Sequence, residues 1–306
     1  MQLLQKLRDG TIIETLINEV SEVEHEARSF SKRILDFLVQ SRGSVFLFSY
    51  TGYGYTPASL MYWYSLTFQS SKHPVLAEAE ESSIYLLPYR DDLSLLIFST
   101  GEYSKLIPAL QVARVLGVDY LALAPEPPTD NLKAIAKFYA VERIPSRIQD
   151  RIKAALFMTL ASFFAISDLY KSGLEARGRR LFTHGQEGFA VTLASFIERY
   201  LEEINNIMKL DDLHITSTRF LEASSILFTH AINEIGKSAK YIPLEVAVNV
   251  NSPLVAIFLT TEERVRRELN FLKQGLVNEF LLNVDPLEAI VYLTMLSYII
   301  VRSTNI

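Results

Sequence analysis

The stretch FLFSYTGYGYTPASLMYWY, Phe46 to Tyr64, decides how the chain reads. A run of β-formers ends at Ser49, glycines follow at Gly52 and Gly54, and an apolar pattern resumes after Pro57. Residues Ser44 to Ser49 form a short continuous apolar run, the mark of a strand buried on both faces. Pro57 to Phe68 reads as a helix with its proline in the first turn. A buried strand, a glycine turn and a helix make the opening of a βα unit. Backbone N–H groups around such a turn, with the helix dipole behind them, favour an anion. The hydroxyls of Thr51 and Thr56 add donors.

The same grammar recurs on either side. Leu93 to Ser99 is a second fully apolar run, ending in STGEYS, and Lys105 to Leu116 is helical, with Pro108 in its first turn and Gly117 as its stop. Tyr120 to Ala124 is another strand, closed by PEPP. Ile84 to Pro88 reads as a strand, Leu132 to Lys137 as a short helix, and Phe138 to Val141 as the fifth strand. Before all of these, residues 11–40 show helical spacing at Ile12, Ile13, Leu16, Ile17 and Val20. After them come a long helix, Ile148 to Tyr170, and a polar stretch, KSGLEARGRR, read as a linker. The second half repeats the pattern with fewer clear strands. Helices at Ala190 to Met208, Phe220 to Ile235, Glu262 to Lys273 and Pro286 to Val301 alternate with strands at Leu213 to Ser217, Leu254 to Thr260 and within Asn278 to Asn283. Tyr241 to Val250 reads as extended or irregular. Strands alternating with helices predict parallel sheets covered on both faces. The chain is expected to hold two α/β domains, 1–172 and 173–306.

With 49% hydrophobic and 21% charged residues, the 306-residue chain is long and apolar enough for this. Its net charge of −5 argues against a nucleic-acid partner, which demands a basic face. The absence of cysteine excludes disulfides and thiolate metal sites. No histidines stand at metal-ligand spacing, so neither a metal nor a cofactor is expected. The N-terminal MQLLQKLRDGTIIETL lacks the pattern of a signal peptide. Ala154 to Ile166 and Ala289 to Val301 are short of the roughly 20 residues a membrane span needs, so they read as buried helices of a cytoplasmic protein.

Parallel sheets take ligands beyond the carboxyl ends of their strands. The first turn offers Thr51, Gly52, Tyr53, Gly54 and Thr56 there, and the second offers Ser99, Thr100, Gly101 and Ser104. Together they can close on one phosphate. Either turn alone is also satisfied by a tight connection with no ligand. GYGYTP lacks the third glycine of a dinucleotide-binding turn, and no GK[ST] follows for a Walker-type loop.

At these turns the sequence resembles the sugar isomerase (SIS) domain, whose first turn reads like GGSG and second like SxSGxTxE. LGVDYLALAPEP, Leu116 to Pro127, fits the same pattern. NEIGKSAK, Asn233 to Lys240, is similar to the NExNENAK stretch of the archaeal bifunctional phosphoglucose/phosphomannose isomerases. DPLEAIVYLTMLS, Asp285 to Ser297, resembles their C-terminal helix. The resemblance implies two SIS-like three-layer αβα domains and an aldose–ketose phosphosugar isomerase. Such enzymes transfer a proton through a carboxylate while a histidine assists ring opening.

Carried over by position, the family's chemistry is incomplete. The serine of GGSG falls on Tyr53. The first serine of SxSGxTxE falls on Phe98, its second on Thr100, its threonine on Tyr103 and its glutamate on Lys105. The catalytic glutamate falls on Lys237, which better pairs with an anion than abstracts a proton. No histidine occurs between Pro243 and Asn251. The family's C-terminal extension has no counterpart before Ile306.

Other residues can be weighed for the chemistry. His230 and Glu234, four apart on a helix, share a face and form a candidate acid–base pair, or a surface pair with no such role. His184 and Glu187 lie in what reads as a polar loop. Arg147 and Arg151 follow a proline-containing turn in the region where the family places a functional arginine, and either can neutralise a phosphate; Arg219 follows a strand of the second half. Tyr62 to Tyr64 reads as helix core or a dimer face. The expected partners are a small-molecule sugar phosphate and a second copy of the chain, with neither nucleic acid nor a membrane. The alternative is a non-catalytic phosphosugar-binding regulator that has lost its acid–base residues. A plain assembly protein is the third reading.

Overall fold

The computed structural model describes residues 10–68, 71–171, 175–210, 212–250, 252, 254–273 and 277–304. Contacts divide them into two units, 23–187 and 10–22 with 188–304. The sequence reading draws the line between 172 and 173, while the contacts draw it between Glu187 and Gly188.

In unit 23–187, helix α1 (Gly10–Gln40), shared with the other unit, leads to β1 (Val45–Thr51). A 3-10 turn (Gly52–Gly54) and α2 (Tyr55–Thr67) follow, then β2 (His73–Glu78) and β3 (Leu93–Ser99). Next come α3 (Tyr103–Val115), β4 (Asp119–Ala124), α4 (Asp130–Phe138), β5 (Glu142–Arg143), α5 (Arg151–Tyr170) and α6 (Ala176–Glu187). The sheet is parallel throughout, in the order β2-β1-β3-β4-β5. Every residue of β3 is buried, and β1 is buried except at Tyr50. Leu47, Leu95 and Ile97 pack with Leu106 and Leu110 of α3. Each such side chain contributes about 1.5–3 kcal/mol by leaving water. Helix α5 is buried from Ala154 to Ser167 and packs on α2 and α6.

The other unit contains α7 (Phe189–Lys209), β6 (Leu213–Ser217), α8 (Glu222–Glu234), β7 (Ala239–Tyr241), β8 (Leu254–Leu259), α9 (Glu263–Lys273), β9 (Val277–Leu282) and α10 (Pro286–Thr304). Its sheet is also all-parallel, ordered β7-β6-β8-β9. Helix α8 packs on α10. Glu19 of α1 receives both Nε and Nη2 of Arg302 at 2.8 Å and the Tyr298 hydroxyl at 2.8 Å. The expected α/β class with two parallel-sheet, three-layer αβα units is the fold observed.

Four expectations are corrected. Residues 84–88 are not a strand: Ser82–Leu86 is a π turn and Leu87–Tyr89 a 3-10 turn, with Ile84 and Tyr85 exposed. The strand is HPVLAE, His73–Glu78, which carries Pro74 and lies at the sheet edge, where a missing N–H is tolerated. Residues 138–141 are not a strand either. They close α4, with Ala140 at φ 50° and the Val141 N–H on the Ala136 carbonyl, the C-terminal cap that usually carries glycine. Residues 176–187 of the expected linker region form helix α6, while 172–174 lie outside the described residues. Residues 239–241 are strand β7, and Leu244–Ala247 makes one helical turn.

Helices 151–170 and 286–304 are long and apolar enough to cross a membrane, but 83% of each apolar window is buried inside the fold, as in core helices. The glycine turn after β1 depends on contact: a Cβ on Gly54 would meet the Phe98 carbonyl oxygen at 2.2 Å. Gly54→Ala is expected to lower stability by about 1–3 kcal/mol, the usual cost of overpacking, seen as a lower urea midpoint at unchanged slope. A wild-type midpoint would show that the turn does not need this close approach.

Candidate functional site

Parallel pairing sets Thr51, the last residue of β1, opposite Ser99, the last of β3. The two turns therefore leave the sheet side by side at the edge where such sheets take ligands. Thr51, Ser99 and Thr100 are buried. Thr51 Oγ1 lies 2.8 Å from Ser99 Oγ and 3.2 Å from Glu102 Oε2. The Tyr53 N–H donates to Thr100 Oγ1 at 3.0 Å, and the Thr100 hydroxyl lies 3.2 Å from the same carboxylate oxygen. The Gly101 N–H donates to Ser99 Oγ at 3.2 Å. Arg151, at the start of α5, brings Nη2 to 3.3 Å from Glu102 Oε1.

Thr51, Thr100 and Arg151 converge on the Glu102 carboxylate, whose side chain is 19% exposed. Glu102 is also the N-cap of α3, its carbonyl accepting the Lys105 and Leu106 N–H groups. A negative charge there is favoured by the helix dipole, by about 0.3–1 kcal/mol. Gly52 makes the room. Its φ is +54°, and a Cβ on it would stand 2.3 Å from Glu102 Oε1. The turns thus build one anion position, and the chain's own carboxylate fills it.

Glu102 is the residue that the sequence reading missed. The reading counts hydroxyls and amides in STGEYS as ligand donors and leaves out the one acidic side chain in either turn. Its signal was its place, directly before a helix whose N-terminus was expected to take an anion. Two of the amides, those of Tyr53 and Gly101, face hydroxyl oxygens of the site itself. Phe98 and Tyr103 are buried core residues, Tyr103 with its hydroxyl on the Pro125 carbonyl. Burial pushes the Tyr103 hydroxyl well above the usual phenol range.

The structure brings together Thr51, Gly52, Tyr53, Ser99, Thr100 and Gly101, with Gly54 packed beneath them on Phe98. Ser104 is exposed. Of the two arginines, Arg151 stands at the cradle, and Arg147 instead holds Glu26 through Nε at 3.0 Å and Nη2 at 2.9 Å. His230 Nε2 lies 2.8 Å from Glu234 Oε1. Helix α8 starts beyond the carboxyl end of β6, so this pair lies about 12–18 Å along it from that end of its own sheet. Lys237 Nζ donates to the Leu210 carbonyl at 3.1 Å, ahead of β6. Asn233, the first residue of NEIGKSAK, brackets Ala239 of β7, accepting its N–H at 2.7 Å and donating to its carbonyl at 2.9 Å. His184 and Glu187 belong to helix α6 rather than a loop.

The other unit has a related arrangement. The Thr218 hydroxyl, just past β6, donates to Glu262 at 2.6 Å, and the Leu259 N–H donates to the same carboxylate at 2.8 Å. A cleft of about 520 Å³ opens there, lined by Ser217, Arg219, Glu222, Tyr241 and Glu245 among others. Burial pushes the Tyr241 hydroxyl up to about 12. A larger cleft of about 840 Å³ lies at the amino edge of the first sheet, but both its arginines are paired with carboxylates, Arg42 with Asp119 and Arg90 with Asp92. The convergent hydroxyls at the carboxyl edge of the first sheet make the better site.

No protein-family model matches the sequence, and no curated protein matches it. Solved structures do share the fold. A candidate phosphosugar isomerase from Clostridium difficile 630 superposes at TM-score 0.68 with 12% identity, covering 96% of this chain and 92% of its own. A candidate sugar-binding protein from Salmonella typhimurium LT2 gives TM-score 0.64 at 14% identity, covering 94% and 98%. The tagatose-6-phosphate ketose/aldose isomerase of Escherichia coli gives 0.61 at 11% identity, covering 100% and 94%.

Glu262 yields a test of this edge of the second sheet. Burial raises its pKa above the ordinary 4.5, against the lowering effect of its two hydrogen bonds. The folded state therefore holds the proton more tightly than the unfolded chain. This contribution is intact below 4.5 and is lost as pH rises through the folded pKa. The stability of Glu262→Gln relative to wild type is expected to improve from pH 4 to pH 7 in urea titrations. A difference that does not change with pH would contradict the raised pKa.

Proposed function

We propose that the chain binds a sugar phosphate at the turns after β1 and β3. The observation that supports this is the convergence of Thr51, Thr100 and Arg151 on one carboxylate, which marks the place as suited to an anion. The fold shared with phosphosugar isomerases points the same way, and NEIGKSAK inclines the reading toward the archaeal phosphoglucose/phosphomannose isomerases. If the protein turns its ligand over, the reaction is a cofactor-independent aldose–ketose isomerisation; the acid–base pair that the sequence offers for it, His230 and Glu234, stands away from the carboxyl edge of its own sheet. A homodimer is part of this reading.

A second reading, a non-catalytic regulator, is favoured by Lys237. This lysine stands where the resemblance puts the catalytic glutamate, and its ammonium holds a backbone carbonyl. Thermal unfolding with glucose-6-phosphate, mannose-6-phosphate and related phosphosugars, up to tens of millimolar, tests the binding. A ligand at a hundredfold its Kd adds about 2.7 kcal/mol, enough for a shift of several degrees. A shift with turnover that Glu234→Gln abolishes supports the enzyme, and a shift without turnover supports the regulator. No shift in wild type or in Glu102→Ala would overturn the binding itself.

A further inference from the structure

Resting on that reading, we propose that Glu102 determines which anions the cradle accepts: its carboxylate is a resident competitor that an incoming headgroup must displace.

The geometry gives the carboxylate and a phosphate the same partners. Thr51 Oγ1 and Thr100 Oγ1 each lie 3.2 Å from Glu102 Oε2, and Arg151 Nη2 lies 3.3 Å from Oε1. A hydroxyl has one proton to donate, so these donors cannot serve two anions at full strength. The space is shared as well. The room left by the missing Cβ of Gly52 is taken up by the carboxylate, 2.3 Å from where that carbon would stand. A second anion beside an ionised Glu102 would meet like-charge repulsion in a partly dehydrated place. Binding is therefore an exchange.

The exchange has a route. The contacts that fix Glu102 in the fold are made by its backbone, whose carbonyl caps α3 through Lys105 and Leu106. Its side chain can turn outward without uncapping that helix. Arg151 is more than half exposed and can follow the carboxylate or stay with the new anion.

Exchange implies a choice of ligand. A headgroup with one negative charge, such as a sugar carboxylate or sulfate, replaces a carboxylate by its like and gains little. A phosphate monoester near neutral pH carries up to two charges and three acceptor oxygens. It draws more from the same donors than Glu102 does. The cradle is thus specific for phosphomonoesters, and Glu102 confers that specificity.

The experiment measures binding of inorganic phosphate and of methyl sulfate, a monoanion, by calorimetry to the wild-type chain, Glu102→Ala and the near-isosteric Glu102→Gln. Thermal unfolding checks that each variant is folded. The expected result is phosphate affinity at least tenfold higher in both variants, with methyl sulfate binding, weak or absent in wild type, gained in both. Equal phosphate affinity in wild type and both variants would overturn the proposal and leave the binding function standing. Phosphate binding by none of the three would overturn both. A comparable gain in Glu262→Gln and none at Glu102 would place the anion site in the other sheet and overturn the assignment.

Discussion

The site depends on register. In a parallel sheet every strand is entered from the same edge, so the turns that leave neighbouring strands share the other edge. Pairing of Thr51 with Ser99 puts two hydroxyls 2.8 Å apart at that edge. A slip of one strand by one residue would turn its side chain to the opposite face and part the two hydroxyls. The register is held firmly because β3 is buried along its whole length and β1 nearly so. Gly54, against the Phe98 carbonyl, ties the turn after β1 to the strand beside it. The cradle is thus a consequence of core packing, and its hydroxyls have little freedom to rearrange.

The same rigidity explains why a carboxylate belongs there. Buried hydroxyls need partners, and a buried carboxylate needs donors more. Glu102 and its neighbours meet both needs at once, with Arg151 balancing the charge from the solvent side. The unliganded protein gains stability from this arrangement. Any ligand has to do better than a group that is already covalently in place.

The sequence made the fold legible where burial leaves a continuous apolar run, as in Leu93–Ser99 and Leu254–Leu259. It was misleading where a local feature serves tertiary structure. Pro74 disguises an edge strand. Ala140 takes a left-handed cap without the glycine that announces one. Gly185, in what reads as a polar loop, lets α6 approach Phe163, where an added Cβ would stand 3.1 Å from the ring. Hydroxyls and glycines announced two turns at one sheet edge but not the carboxylate between them. Spacing could pair His230 with Glu234, and the pair exists, but spacing carries no information about which edge of the sheet a helix end reaches. Asn233 shows the same limit: in a motif read for catalysis, it clamps β7.

The two sheets answer the same geometric problem with the same residue types. In each, a threonine at the end of one strand donates to a glutamate in the turn that follows its parallel partner, Thr51 to Glu102 and Thr218 to Glu262. The surroundings then separate them. Glu102 has a guanidinium beside it and fills the space that the missing Cβ of Gly52 leaves, so its charge is balanced where it sits. Glu262 is held by two neutral donors, and burial favours its protonated form. An anion position needs a cation and room as well as hydroxyls. Among the described contacts a guanidinium touches the glutamate of the first sheet, which is why the exchange is assigned to Glu102.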